Sequence, residues 1–183
     1  MEKTEILVQK TNPETIKFDE NLAKEVPKCE DHIIIHLRNN NVPLLVAGGG
    51  GGLKNLNKRL ENCDASNKTS GKNNKCVTPC VNWAEGVNRQ GAKQADSENS
   101  GDGGGGFYSN GRSSNLFGGS GGTYGNRGGP GGGGGSSGGA SGDNVNGACG
   151  GGGGSYNVGK NQVNKSAFNE KGDGYVFLTL YVN

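Results

Sequence analysis

Gly131-Gly132-Gly133-Gly134-Gly135-Ser136-Ser137-Gly138-Gly139 sits inside a block, 101–159, that carries 28 of the 38 glycines of this 183-residue chain. Residues 1–47 contain none. Glycine loses the most backbone freedom on ordering and brings no side chain to bury. Such a block is a flexible linker unless something uses the missing side chain. Its runs are interrupted by aromatic residues, Cys149 and turn formers, and strand-like segments stand on both sides of it. An insertion between paired strands has its ends tied together, which reduces the entropy lost on ordering. The expected fold is therefore mainly β with packed glycine segments inserted in it.

The register of the block excludes collagen, because glycine does not recur strictly every third residue. Runs 103–106, 131–135 and 150–154 are instead suited to the polyproline-II-like helix of polyglycine. Such helices expose amides and carbonyls to neighbours, so several can pack side by side. The glycines placed in structural roles are Gly48, Gly49, Gly50, Gly131, Gly132, Gly133, Gly150, Gly151 and Gly152. Segments 110–116, 123–127 and 143–146 are the expected reversals.

Outward from the block, 1–30 is an N-terminal segment of uncertain structure. It contains a short strand at 5–9 and a helix at 13–26, where Phe18, Leu22 and Val26 recur at helical spacing. The glycine-rich domain spans 31–183. It opens with a hairpin at 31–47, turning at Asn39, Asn40 and Asn41. A polar, cysteine-bearing insertion at 53–100 follows, starting with Leu53, Leu56 and Leu60 on one helical face. A closing strand at 174–182, apolar on both faces, is expected at the centre of a sheet.

Apolar residues make up 30% of the chain, too few for one conventional core throughout. The net charge of +2 is dispersed, which argues against nucleic acid as a partner. No apolar run reaches the roughly 18 residues that span a bilayer, and the charged opening Met1-Glu2-Lys3-Thr4-Glu5, with no apolar stretch after it, is not expected to act as a secretory leader. The five cysteines leave at least one unpaired within the chain. Cys63, Cys76 and Cys80 cluster in a polar segment, which favours disulfides and an oxidising compartment. The sequons at Asn67 and Asn164 are candidate N-glycosylation sites.

Chemical motifs are few. Residues 154–161 approach a phosphate-binding loop but end in Asn161, where a magnesium-binding hydroxyl is needed. Cys29, His32, His36, Cys76 and Cys80 are ligand-type residues. The even spacing of the histidines on a strand favours a structural role over a metal site. No nucleophile–base–orienter set is present, so the chain is read as a non-enzyme with no catalytic, cofactor or metal residues. Its ligand-binding residues are unknown from sequence. The alternatives are a glycine-rich structural or adhesin protein and a disordered glycine-rich linker protein.

Val42-Pro43-Leu44-Leu45-Val46-Ala47 running into 48–52, then Arg59-Leu60-Glu61-Asn62, resembles the glycine-rich extracellular region of the anaplastic lymphoma kinase and leukocyte tyrosine kinase receptors. Also similar are 99–107, 131–139, Ala148-Cys149 with 150–156, and Gly172-Asp173-Gly174-Tyr175-Val176-Phe177. The resemblance covers roughly 31–183. It implies a partial β-sandwich of the tumour-necrosis-factor type with an inserted bundle of polyglycine-II helices and long loops. It also implies an extracellular, plasma-membrane location in a parent receptor, a small secreted protein ligand and a receptor homodimer. The family's earlier sandwich strands, leader, membrane span and kinase domain have no counterpart in this sequence.

Overall fold

The computed structural model describes residues 3–9, 33–36, 43–56, 58, 60–96, 99–112, 128–164 and 175–181. Among these are eight β-strands in small antiparallel sheets, one 3-10 turn and no α-helix. The helix expected at 13–26, Cys29, His32, the reversal at 123–127 and the glycines before the closing strand lie outside the described residues.

Strand β1 (Lys3–Gln9) pairs antiparallel with β8 (Tyr175–Tyr181), from Lys3 opposite Tyr181 to Gln9 opposite Tyr175. The closing segment is thus a strand, but among the described residues it has one partner and not the central position expected of it. Strand β3 (Pro43–Ala47) stands between β2 (Ile33–His36) and the short β7 (Tyr156–Asn157). A register shift between Ile35 and His36 places His36 opposite Pro43, which lacks an amide donor. The third sheet has the order β4 (Leu53–Lys54), β6 (Ala148–Cys149), β5 (Lys75–Cys76).

Leu53, Leu56 and Leu60 do not form the expected helical face. Leu53 lies in β4 and is 64% exposed, and the nearby 3-10 turn is only Glu61–Cys63. A helix this short needs an apolar surface to dock on. What lies beside it is glycine backbone.

Five glycine-rich runs lie alongside one another: run 1 (48–52), run 2 (101–106), run 3 (129–135), run 4 (137–143) and run 5 (150–155). Their hydrogen bonds advance in steps of three residues. Gly49 and Gly52 of run 1 donate to Gly134 and Gly131 of run 3. Gly129, Gly132 and Gly135 donate to Asn99, Asp102 and Gly105, so runs 2 and 3 are parallel. Gly139 and Gly142 of run 4 donate to Gly133 and Pro130, antiparallel.

Run 5 makes the pattern plainest. Its six successive amides, from Gly150 to Ser155, donate in rotation to Gly52, Ala140, Asn62, Gly49, Ser137 and Lys68. A β-strand sends its amides to neighbours on two sides. Here they go in three directions, and run 3 bonds to all four other runs.

This packing excludes side chains. A Cβ on Gly48 would strike the carbonyl of Gly153; on Gly132, that of Gly139; on Gly133, that of Gly49. A Cβ on Gly150, Gly151 or Gly152 would strike the carbonyls of Gly131, Lys72 and Asp64 respectively. Gly50 differs, since a Cβ there would meet only the Cys63 carbonyl oxygen at 3.4 Å. Gly49 and Gly131 take part through their backbones, Gly49 as donor and acceptor and Gly131 as acceptor from Gly52.

In and around the glycine bundle the buried apolar side chains are mostly small, among them Val46, Pro43, Pro130, Cys63, Ala92, Ala140, Ala148 and Cys149. The interior of the bundle is therefore largely backbone packed on backbone. Three serines at the bundle carry their own partner, whereas the buried Ser136 Oγ has no hydrogen-bond partner. Ser137 Oγ accepts from the Arg89 amide, Ser155 Oγ accepts from Gly48, and Ser141 Oγ donates to the Gln94 carbonyl.

Candidate partner-binding surface

The runs give the bundle two ends. At one end lie β4, β5 and β6, the turn at 144–147 and two disulfides. Cys63 is joined to Cys149 and Cys76 to Cys80. All three cysteines of the 63–80 cluster are therefore in disulfides, and Cys149 is the partner that sequence reading did not single out. Only its register opposite Leu53 and Lys75 in the sheet reveals it. Cys76 and Cys80, once bonded, offer no thiolate to the metal set weighed from sequence, and no metal-binding cluster occurs among the described residues.

This end also has an open cleft of about 330 Å3 lined by Asn55, Lys58, Val77, Thr78, Asn146 and Gly147. Two of its polar groups bond to each other, and a second pair lies beside it. Asn55 donates to Asn146 Oδ1, and Lys54 Nζ donates to Asn144 Oδ1 at 2.6 Å. Nearby, buried Asn74 organises the 74–83 loop by donating to the Val81 carbonyl and accepting from the Trp83 amide.

At the opposite end, run 3 reverses into run 4 through a bend at 135–137. Three segments meet there. The Phe107 amide donates to the Ser136 carbonyl, the Tyr108 amide donates to the Arg89 carbonyl, and Tyr156 is held in β7 opposite Val46. The side chains converge. The Arg89 guanidinium lies 4.3 Å from the Tyr156 ring centroid and 5.5 Å from that of Tyr108, and donates to Tyr108 Oη at 2.9 Å. Phe107 packs edge-on against Tyr108 with centroids 5.2 Å apart. Desolvation works against the Arg89 charge, but the hydrogen bond to Tyr108 and the proximity of Tyr156 raise its pKa above the ordinary value.

Cation–π contacts of this kind are each worth about 0.5–1 kcal/mol at exposed sites. They fix the guanidinium without removing it from solvent, and Tyr108 remains 59% exposed. Arginine and tyrosine on a rigid support are the residue types that dominate protein recognition surfaces. The sequence offered no motif for this cluster, because 89, 108 and 156 converge only through the bundle.

The remaining sequence-derived sites lie elsewhere. Asn67 is exposed in the 67–70 bend, its sequon intact on the surface. Asn164 is exposed too, with its side chain bonded to Asn157 and Gln162. The reversal expected at 143–146 coincides with the turn into β6, whereas the bend at 135–137, at the end of the run 131–135, was not among the expected reversals. Among the described residues, no helix is long and apolar enough to cross a membrane. Comparison with family models, curated proteins and solved structures finds no match to this chain.

Proposed function

We propose that the chain is an extracellular recognition domain, or part of one, from a receptor-tyrosine-kinase-like protein, and that it acts by binding a protein ligand. The glycine runs are read as polyglycine-II helices. At about 3.1 Å per residue, a seven-residue run spans roughly 22 Å. The observation that carries the reading is the three-way rotation of amides in run 5, from Gly150 to Ser155. A three-residue turn with outward-pointing amides produces that rotation, and a flexible linker does not. The result is a rigid spacer that displays the Arg89–Tyr108–Tyr156 cluster at its end.

The strands at both ends of the chain serve in this reading as parts of a sandwich scaffold. The two disulfides suit an oxidising compartment, and Asn67 and Asn164 are its candidate glycosylation sites. The partner is a small secreted helical protein, and binding pairs two copies of the receptor.

The test uses the disulfide-intact chain and the small helical ligands of the anaplastic lymphoma kinase and leukocyte tyrosine kinase receptors. Saturable binding by interferometry, with a doubling of the chain's mass in light scattering, is expected. A chain that stays monomeric and binds none of them contradicts the receptor reading and leaves a structural role for the bundle.

A further inference from the structure

Resting on the recognition reading, we infer that Arg89 receives a carboxylate of the protein partner, in a socket walled by Tyr108 and Tyr156. The first ground is the backbone. Val87, Asn88, Arg89 and Gln90 form a tight turn closed by the Gln90 amide on the Val87 carbonyl at 2.9 Å. Asn88 has φ of 51° and Arg89 of 63°, so both central residues are left-handed. Turns of this kind favour glycine at the second central position. In a chain with 38 glycines, arginine occupies that place. Backbone strain retained at a display position points to a use for the side chain.

The second ground is the mounting. The Arg89 amide donates to Ser137 Oγ at 2.9 Å and its carbonyl accepts from Tyr108 at 2.9 Å, so the turn is fixed to the bundle from both sides. The third is the guanidinium. Two tyrosine rings flank it and one N–H binds Tyr108 Oη. No carboxylate among the described residues pairs with it. A guanidinium has five donors in a planar fork that matches a carboxylate in bidentate fashion.

The surroundings suit an acidic protein surface. Lys68 is exposed, and its carbonyl binds the Ser155 amide next to Tyr156. Val87 is 50% exposed and provides an apolar rim beside the charge. Flanking rings hold the guanidinium in one orientation before the partner arrives, which lowers the ordering entropy of binding.

The test is selection of a phage-displayed helical-peptide library on the disulfide-intact chain, followed by affinity measurements on Arg89 variants. Enriched peptides should share an Asp or Glu whose amide replacement weakens binding about 30-fold or more. Arg89→Gln and Arg89→Gly should cause a similar loss, with no further loss when combined with the amidated peptide. Arg89→Lys should fall between, keeping the charge without the planar fork. Because relief of the left-handed strain offsets the lost ring contacts, Arg89→Gly should leave the melting temperature within a few degrees of the parent chain.

Binders indifferent to Arg89 overturn this inference alone. So does an Arg89→Gly chain that unfolds, since the arginine is then structural. Binding of a heparin oligosaccharide through Arg89, with no peptide requiring it, also overturns the inference by substituting a sulfated glycan for the protein. A chain that enriches no peptide at all overturns both this inference and the recognition reading.

Discussion

Gly151→Ala is expected to destabilise the domain by more than about 3 kcal/mol, a large fraction of the stability of a marginally stable domain. The new methyl group would occupy the position of the Lys72 carbonyl oxygen and press on the Ala140 amide at 2.8 Å. Those groups are themselves paired, since the Ala140 amide donates to the Lys72 carbonyl and the Gly151 amide to the Ala140 carbonyl. Relief by moving a flexible side chain is therefore not available. Run 5 would have to shift, breaking a hydrogen-bonded row that involves runs 1, 3 and 4. Gly138→Ala should behave alike, striking the Gly104 carbonyl. Gly50→Ala is the control, because its methyl group meets Cys63 oxygen at an ordinary 3.4 Å. Its effect should stay within about 1 kcal/mol. The measurement is the urea midpoint of each purified, disulfide-intact variant.

Removing the bridge between Cys63 and Cys149 should have the second large effect. It closes a loop with a sequence separation of 86, against 4 for the bridge between Cys76 and Cys80. The loop-entropy relation gives about 4–5 kcal/mol for the first and about 2 kcal/mol for the second. Cys149→Ser also puts a hydroxyl at a fully buried position, whereas the Cys76–Cys80 loop carries Val77 at 57% exposure. Denaturant melts of Cys149→Ser and of the paired Cys76→Ser, Cys80→Ser variant should differ in that order. Equal midpoints would mean that the long-range bridge does not hold the polar insertion against run 5.

Parts of this architecture could be read from the chain directly. The apolar runs Ile33-Ile34-Ile35, Leu44-Leu45-Val46 and Tyr175-Val176-Phe177-Leu178 form strands because β-branched and aromatic residues fit a pleated surface. The first two pair with each other as the hairpin expected at 31–47, but the partner of the closing strand was hidden, because antiparallel pairing of Lys3–Gln9 with Tyr175–Tyr181 depends on the whole intervening chain. The bend at Ser136-Ser137 was illegible for a different reason. Glycine tolerates every backbone region, so a reversal within 131–139 needs no marker residue. Arg89 carried no signal beyond its asparagine neighbour, since its significance lies in Tyr108 and Tyr156. Leu53 misled because helical spacing assumes a surface to bury against, and beside this segment that surface is glycine backbone.

The most direct test of the glycine bundle is residue-resolved amide hydrogen exchange across 129–155 in the disulfide-intact chain. Amides donated within the bundle, including Gly132, Gly133, Gly139, Gly142 and the successive set from Gly150 to Gly154, should exchange slowly. Protection at consecutive residues of run 5 distinguishes three-way bonding from the alternating protection of an edge strand. Uniformly fast exchange across 129–155 would contradict the ordered bundle and, with it, the rigid display of Arg89.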